Sequence, residues 1–136
     1  MIYVMFALVL LTFLVGIVAV TARVRSVLTG QVKIKYYRAM SGQTAPDYVM
    51  NTTRCFNNLF EVPVLFYVVG VLFVSLQLNS AIALLLAWLF VLLRALQALV
   101  HLTYNNVFHR MLLFWAGMID VLLIWTLLLT ELVSSA

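Results

Sequence analysis

The chain has 136 residues, of which 66% are hydrophobic and only 9% charged, with a formal net charge of +4. A soluble domain carries about 25% charged residues, so this composition excludes a water-soluble globular domain and predicts a single membrane domain, residues 1–136. The basic residues gather in the loops, as membrane topology dictates, so no nucleic-acid partner is expected. The lone Cys55 excludes an intrachain disulfide.

The first predicted element is a span over residues 2–22, which holds no charged side chain. Its apolar run is longer than the roughly 7–15 residues of a signal-peptide h-region and no basic segment precedes it, so it reads as a retained helix. A loop over residues 24–53 follows. Arg23, Arg25, Lys33, Lys35 and Arg38 crowd its front and Arg54 closes it. Tyr36 and Tyr37 among these cations suit the lipid-headgroup layer. Gly42, Pro46 and Asp47 are expected to interrupt any helix there. Three more spans follow, over residues 55–77, 80–104 and 111–133, each near the roughly 20 residues a bilayer requires. Leu78-Asn79-Ser80 is so short that the second and third spans are expected to form an antiparallel hairpin, and residues 105–110 join the third and fourth likewise. The expected fold is all-α, an antiparallel four-helix transmembrane bundle. The 78–80 connection and both termini lack Lys and Arg. The positive-inside rule therefore places both basic loops in the cytoplasm and both termini on the other side.

Polar residues inside the spans carry the functional signal. A charge at the centre of a membrane helix costs about 2.5–3.5 kcal/mol on insertion scales. Glu61, Arg94 and Asp120 therefore call for partners. Counted inward from the basic ends of their spans, all three lie roughly 10–15 Å deep at 1.5 Å per residue, so Arg94 is expected to pair with Glu61, Asp120 or both. Arg54, Asn58 and Glu61 recur at i, i+4, i+7. Arg94, Gln97, His101 and Asn105 recur at i, i+3, i+7, i+11. Each set forms one helical stripe. Two such stripes predict a polar cleft open at the basic end, with Arg110 at its mouth. Pro63 denies the Leu59 carbonyl its helical partner and is expected to kink the wall. Polar residues also simply join membrane helices, at about 0.6 kcal/mol per hydrogen bond. Seven of them on two faces at like depth point instead to a ligand site. His101 and His109 have no cysteine or carboxylate at ligand spacing, so no metal site is expected.

Arg54-x3-Asn58-x2-Glu61 with Pro63 following resembles the second-helix signature of the MAPEG superfamily, the membrane-associated proteins in eicosanoid and glutathione metabolism. Arg94, His101 seven residues on and Arg110 sixteen on resemble its third-helix pattern. The wording NNLFEVPVLFY, with AWLFVLLRALQALVH and a following Asn-Asn, looks most like a bacterial branch, which implies the bacterial inner membrane. The resemblance covers essentially the whole chain, with the first helix contributing only generic hydrophobicity. It implies a homotrimer that takes glutathione as cosubstrate in a cleft between subunits near the cytoplasmic side. Arg54, Asn58, Glu61, Arg94 and His101 would contact the glutathione, and Arg110 would be the catalytic arginine that stabilises its thiolate. Arginines hold carboxylates in bidentate fashion, and a cation beside a thiol raises its thiolate fraction. A lipophilic small-molecule electrophile would arrive through the lipid bilayer. His101 stands where the eicosanoid synthases place tyrosine, Pro63 is one residue nearer the glutamate than in those enzymes, and neither Arg23 nor Arg25 matches the family's first-helix arginine. The implied activity is a glutathione transferase or peroxidase. The alternatives are a non-catalytic membrane assembly protein and a small proton-coupled exporter; the Lys/Arg asymmetry and Arg94 weigh against the exporter.

Overall fold

In lipid a spanning backbone must satisfy its own polar groups, and a helix does so within one segment. The structure, a computed structural model that describes residues 1–42 and 44–135, answers this constraint with helices and contains no strand among the described residues. They are α1 (Ile2–Leu28), α2 (Tyr36–Ala39), α3 (Asp47–Asn58), α4 (Val62–Ser75), α5 (Ala81–Leu102) and α6 (Val107–Ser135). Helices α3 and α4 are two halves of one span, so four spans are long and apolar enough to cross a bilayer. The protein is a multi-pass integral membrane protein built as an all-α four-helix bundle.

The second span differs most from its expected form. It begins at Asp47 rather than Cys55, inside the segment read as loop. Pro46 occupies the position just before the first turn, where its missing N–H costs nothing. Asp47 places a negative charge at the positive end of the helix. Val49, Thr52 and Cys55 are all buried, so an amphipathic face continues from the membrane into the headgroup layer. The loop folds over this extension. Val32 and Ala45 pack on Val49 in a small apolar cluster. The Ser26 and Tyr37 hydroxyls share a hydrogen bond of 2.6 Å, and Tyr48 donates to Gln31 at 2.7 Å.

The same span breaks between Asn58 and Val62. Leu59 and Phe60 donate their N–H groups three residues back, to Phe56 and Asn57, and Glu61 adopts φ −90°, ψ −89° just ahead of α4. Pro63 in the first turn of α4 explains the break, because it cannot donate and its ring clashes with a preceding helical turn. The break re-aims the chain. Helix α3 packs on α1 and α5, whereas α4 turns to α6 and α1. The close hairpin expected between the second and third spans therefore exists only along the α3 half. The α4 half meets α5 through side chains, with Phe66 stacked on Phe90 at 4.7 Å.

The main core lies in the end of the bundle away from the basic loops. Val4 and Leu8, Phe66 and Phe73, Ala83 and Phe90, and Ile124 and Leu128 close it from all four spans. Lipid supplies no hydrophobic drive between helices, so close packing over small residues such as Ala83 and Ala87 holds them together. Trp125 adds a cross-link, donating its indole N–H to the Leu65 carbonyl at 3.3 Å.

Candidate functional site

The turn between α5 and α6 sets the position of the first candidate. Asn105 takes a left-handed conformation, φ 47°, which asparagine tolerates better than most residues. Its N–H reaches the Val100 carbonyl at 2.8 Å and so closes α5. Asn106 then caps α6, its side-chain oxygen accepting from Phe108 and His109 N–H at 2.9 and 3.1 Å. Arg110 lies in the resulting first turn. Its Nη1 donates to Asn105 Oδ1 at 2.9 Å, so the turn residue also anchors the guanidinium.

Arg94 sits deeper, on the face of α5 packed against α6. It is 1% exposed. Nη1 donates to Gln97 Oε1 at 2.7 Å. The guanidinium carbon lies 5.0 Å from the Phe90 ring centre and 5.6 Å from that of Phe114. Gly117 provides the remaining room, since a Cβ there would stand 2.7 Å from Nη2. Arginine over aromatic faces is a favourable way to hold a cation where water is scarce.

The expected ion pair is not formed. Among the described residues, Nε and Nη2 of Arg94 have no hydrogen-bond partner, and neither do the two carboxylate oxygens of buried Asp120. Glu61 is exposed at the helix break. Its carboxylate acts on Arg94 electrostatically without bonding to it. Arg54, Asn58 and Glu61 share a stripe only on a continuous helix, and the break between Asn58 and Val62 leaves the glutamate turned outward. Asp120 lies on the buried face of α6 one turn beyond Gly117, and equal depth did not bring it onto the guanidinium.

The predicted residues nonetheless gather in one neighbourhood with a floor and a rim. The floor holds Arg94, Gln97, His101 and Cys55. These residues, with Asn58 as a wall, enclose a space of ≈ 10 Å³, about that of one water. His101 is 1% exposed and neither ring nitrogen has a hydrogen-bond partner among the described residues. The rim is open. A groove of ≈ 190 Å³ is lined by Asn58, Gln97, Arg110 and Phe114, among others. Asn58 and Gln97 border both spaces, whereas Arg94 and His101 line only the inner one. Arg54 is exposed at the edge and, like Arg110, interacts electrostatically with His101.

Asn58 and Arg110 therefore line an open groove, Arg94 and His101 lie behind it, and Arg54 and Glu61 stand outside it. Gln97 and Asn105 matter more than their place on a stripe suggested: the first ties Arg94 to the groove and the second fixes Arg110. Gly117 gave no sequence signal, because only packing reveals why a side chain is excluded there.

A family model, that of the MAPEG family, matches residues 1–130 of the chain. No curated protein and no solved structure matches it.

Proposed function

The chain belongs to the MAPEG family, and from that premise we propose that it binds glutathione and acts as a glutathione transferase or peroxidase on lipophilic electrophiles. The observation that carries the reading is the groove bordered by Asn58, Gln97 and Arg110; Arg54 and Glu61 are exposed outside it. Glutathione is anionic, with two carboxylates and one ammonium. Arg54 and Arg110 suit the carboxylates, Glu61 suits the ammonium, and Asn58 and Gln97 suit the amides. Arg110, held by Asn105, is the cation placed to stabilise a thiolate.

Two features refine the roles. Arg94 and His101 are buried and do not line the groove, so Arg94 acts on the ligand through the Gln97 amide it holds, as a positioning residue. The groove volume, ≈ 190 Å³, is below the roughly 300–1,000 Å³ of typical small-molecule pockets. A second copy of the chain would supply the outer wall, with the ligand between subunits; a homotrimer is the assembly that the family resemblance implies. The bacterial inner membrane, with termini away from the cytoplasm, fits the loop charges, and the electrophile would then enter from lipid.

A second reading has one observation in its favour. The enclosure of Arg94 by Phe90, Phe114 and Gly117 is what a purely structural residue would show, which suits a non-catalytic assembly protein. Purified protein in detergent separates the two. Under the enzyme reading, millimolar glutathione raises the thermal midpoint and turnover of a chromogenic aryl halide collapses in Arg110→Ala. Absence of any glutathione-dependent shift in the wild-type protein would retire the enzyme reading.

A further inference from the structure

Two buried polar side chains behind the groove share one enclosure. Arg94 and His101 lie about two turns apart on α5. With Gln97 between them they face Cys55 and Asn58 of α3 across the space of ≈ 10 Å³. Both are 1% exposed. Arg94 spends Nη1 on Gln97. Its Nε and Nη2 are enclosed with no hydrogen-bond partner among the described residues, and so are both ring nitrogens of His101.

These groups are complementary. Arginine only donates, whereas the unprotonated nitrogen of an imidazole accepts. They line the same small space, yet they are not bonded to each other. Enclosed polar groups in folded proteins are almost always paired, through ordered water where the chain offers no partner. Apolar cavities stay dry, but a polar one of this size takes a single water with about two to four partners. Arg94, His101 and the Asn58 amide supply that number.

We infer that this enclosure is a binding site for one ordered water, which accepts a hydrogen bond from Arg94 and donates one to a ring nitrogen of His101. The bridge gives His101 a structural task, the completion of the Arg94 environment. It also accounts for a guanidinium that stays deep among the spans although neither Glu61 nor Asp120 bonds to it. The site lies behind the Asn58–Arg110 groove and does not rest on the glutathione reading.

A density map of the purified protein, at a resolution that shows ordered waters, tests it directly. A peak within hydrogen-bond reach of both Arg94 and His101 is expected, and a map without one overturns the inference. Thermal midpoints in detergent give a second test. Cys55→Met pushes apolar volume into the enclosure and displaces the water, so the midpoint should fall by about 3–6 °C. Cys55→Ser, similar in size and able to bond to the water, should stay near wild type. A higher midpoint in Cys55→Met would mean a dry cavity that gains from filling, and the inference fails. Replacing chloride in the buffer by gluconate decides the competing occupant. An unchanged wild-type midpoint supports water, whereas a fall that chloride restores would place a halide beside Arg94 and overturn the water assignment.

Discussion

Replacing Gly117 with alanine tests the account of Arg94 most directly. A Cβ at Gly117 would stand 2.7 Å from Nη2 and 3.2 Å from the guanidinium carbon. Ordinary contact needs about 3.5 Å, so the guanidinium must retreat by roughly 0.8 Å. It cannot retreat freely, because Phe90 and Phe114 hold its flanks and Gln97 holds Nη1 at 2.7 Å. A retreat of that size takes the bond toward about 3.5 Å, past the useful limit of about 3.2 Å. Overpacking of this kind costs about 1–3 kcal/mol. Alanine returns about 1 kcal/mol of helix propensity. The net expectation is a loss of about 0–2 kcal/mol, read as a lower thermal midpoint in detergent, with weaker glutathione binding because Gln97 is displaced. A double-mutant cycle makes the test sharp. In an Arg94→Met background the flexible, uncharged side chain yields, so the same Gly117→Ala change should become neutral or stabilising. The coupling between the two sites is expected at about 1–2 kcal/mol, within the range for residues in contact. If Gly117→Ala stabilises the wild-type protein by the full propensity term, or has the same effect in both backgrounds, the described packing is wrong.

Arg94→Met alone should leave stability within about 2 kcal/mol of wild type, because removing a buried charge of poor pairing is close to neutral; a collapse of folding would mean that Arg94 has a strong partner. The same variant should lose most of its glutathione-dependent thermal shift. Asn106→Ala should cost about 1 kcal/mol through loss of the α6 cap, measured by thermal or denaturant unfolding, and unchanged stability would remove Asn106 from that role. Glu61→Gln should leave the thermal midpoint of the ligand-free protein unchanged, as befits an exposed side chain, yet weaken glutathione binding in calorimetry; unaltered affinity would place the ammonium elsewhere. Asn105→Ala should act like a mild Arg110→Ala, lowering aryl-halide turnover more than glutathione affinity, and equal losses in both would argue that the turn as a whole has moved.

The spans and bundle were legible because composition and hydropathy leave a chain like this few other folds. The convergence of Asn58, Arg110 and the α5 stripe was legible too, since helical spacing survives wherever the helix is unbroken. It failed at Glu61, where Pro63 does more than kink the helix: it ends one and starts another, and a stripe drawn across the break loses its meaning. The start of α3 was hidden for the opposite reason. Pro46 and Asp47 read equally well as a helix stop and a helix start, and only the buried run Val49, Thr52, Cys55 decides between them. The missing Arg94 ion pair was not legible at all, because depth along a helix axis fixes height and leaves rotation free.

The interruption between Asn58 and Val62 also partitions mechanical load. A push on the protruding end of α3 meets α1 and α5, and thus the wall that carries Asn58, while α4 rests on α6 and reaches α5 through Phe66 on Phe90. The membrane-embedded span is thus two segments with different main neighbours, so a shift of α3 at the polar groove need not be carried by α4 into the apolar half of the bundle.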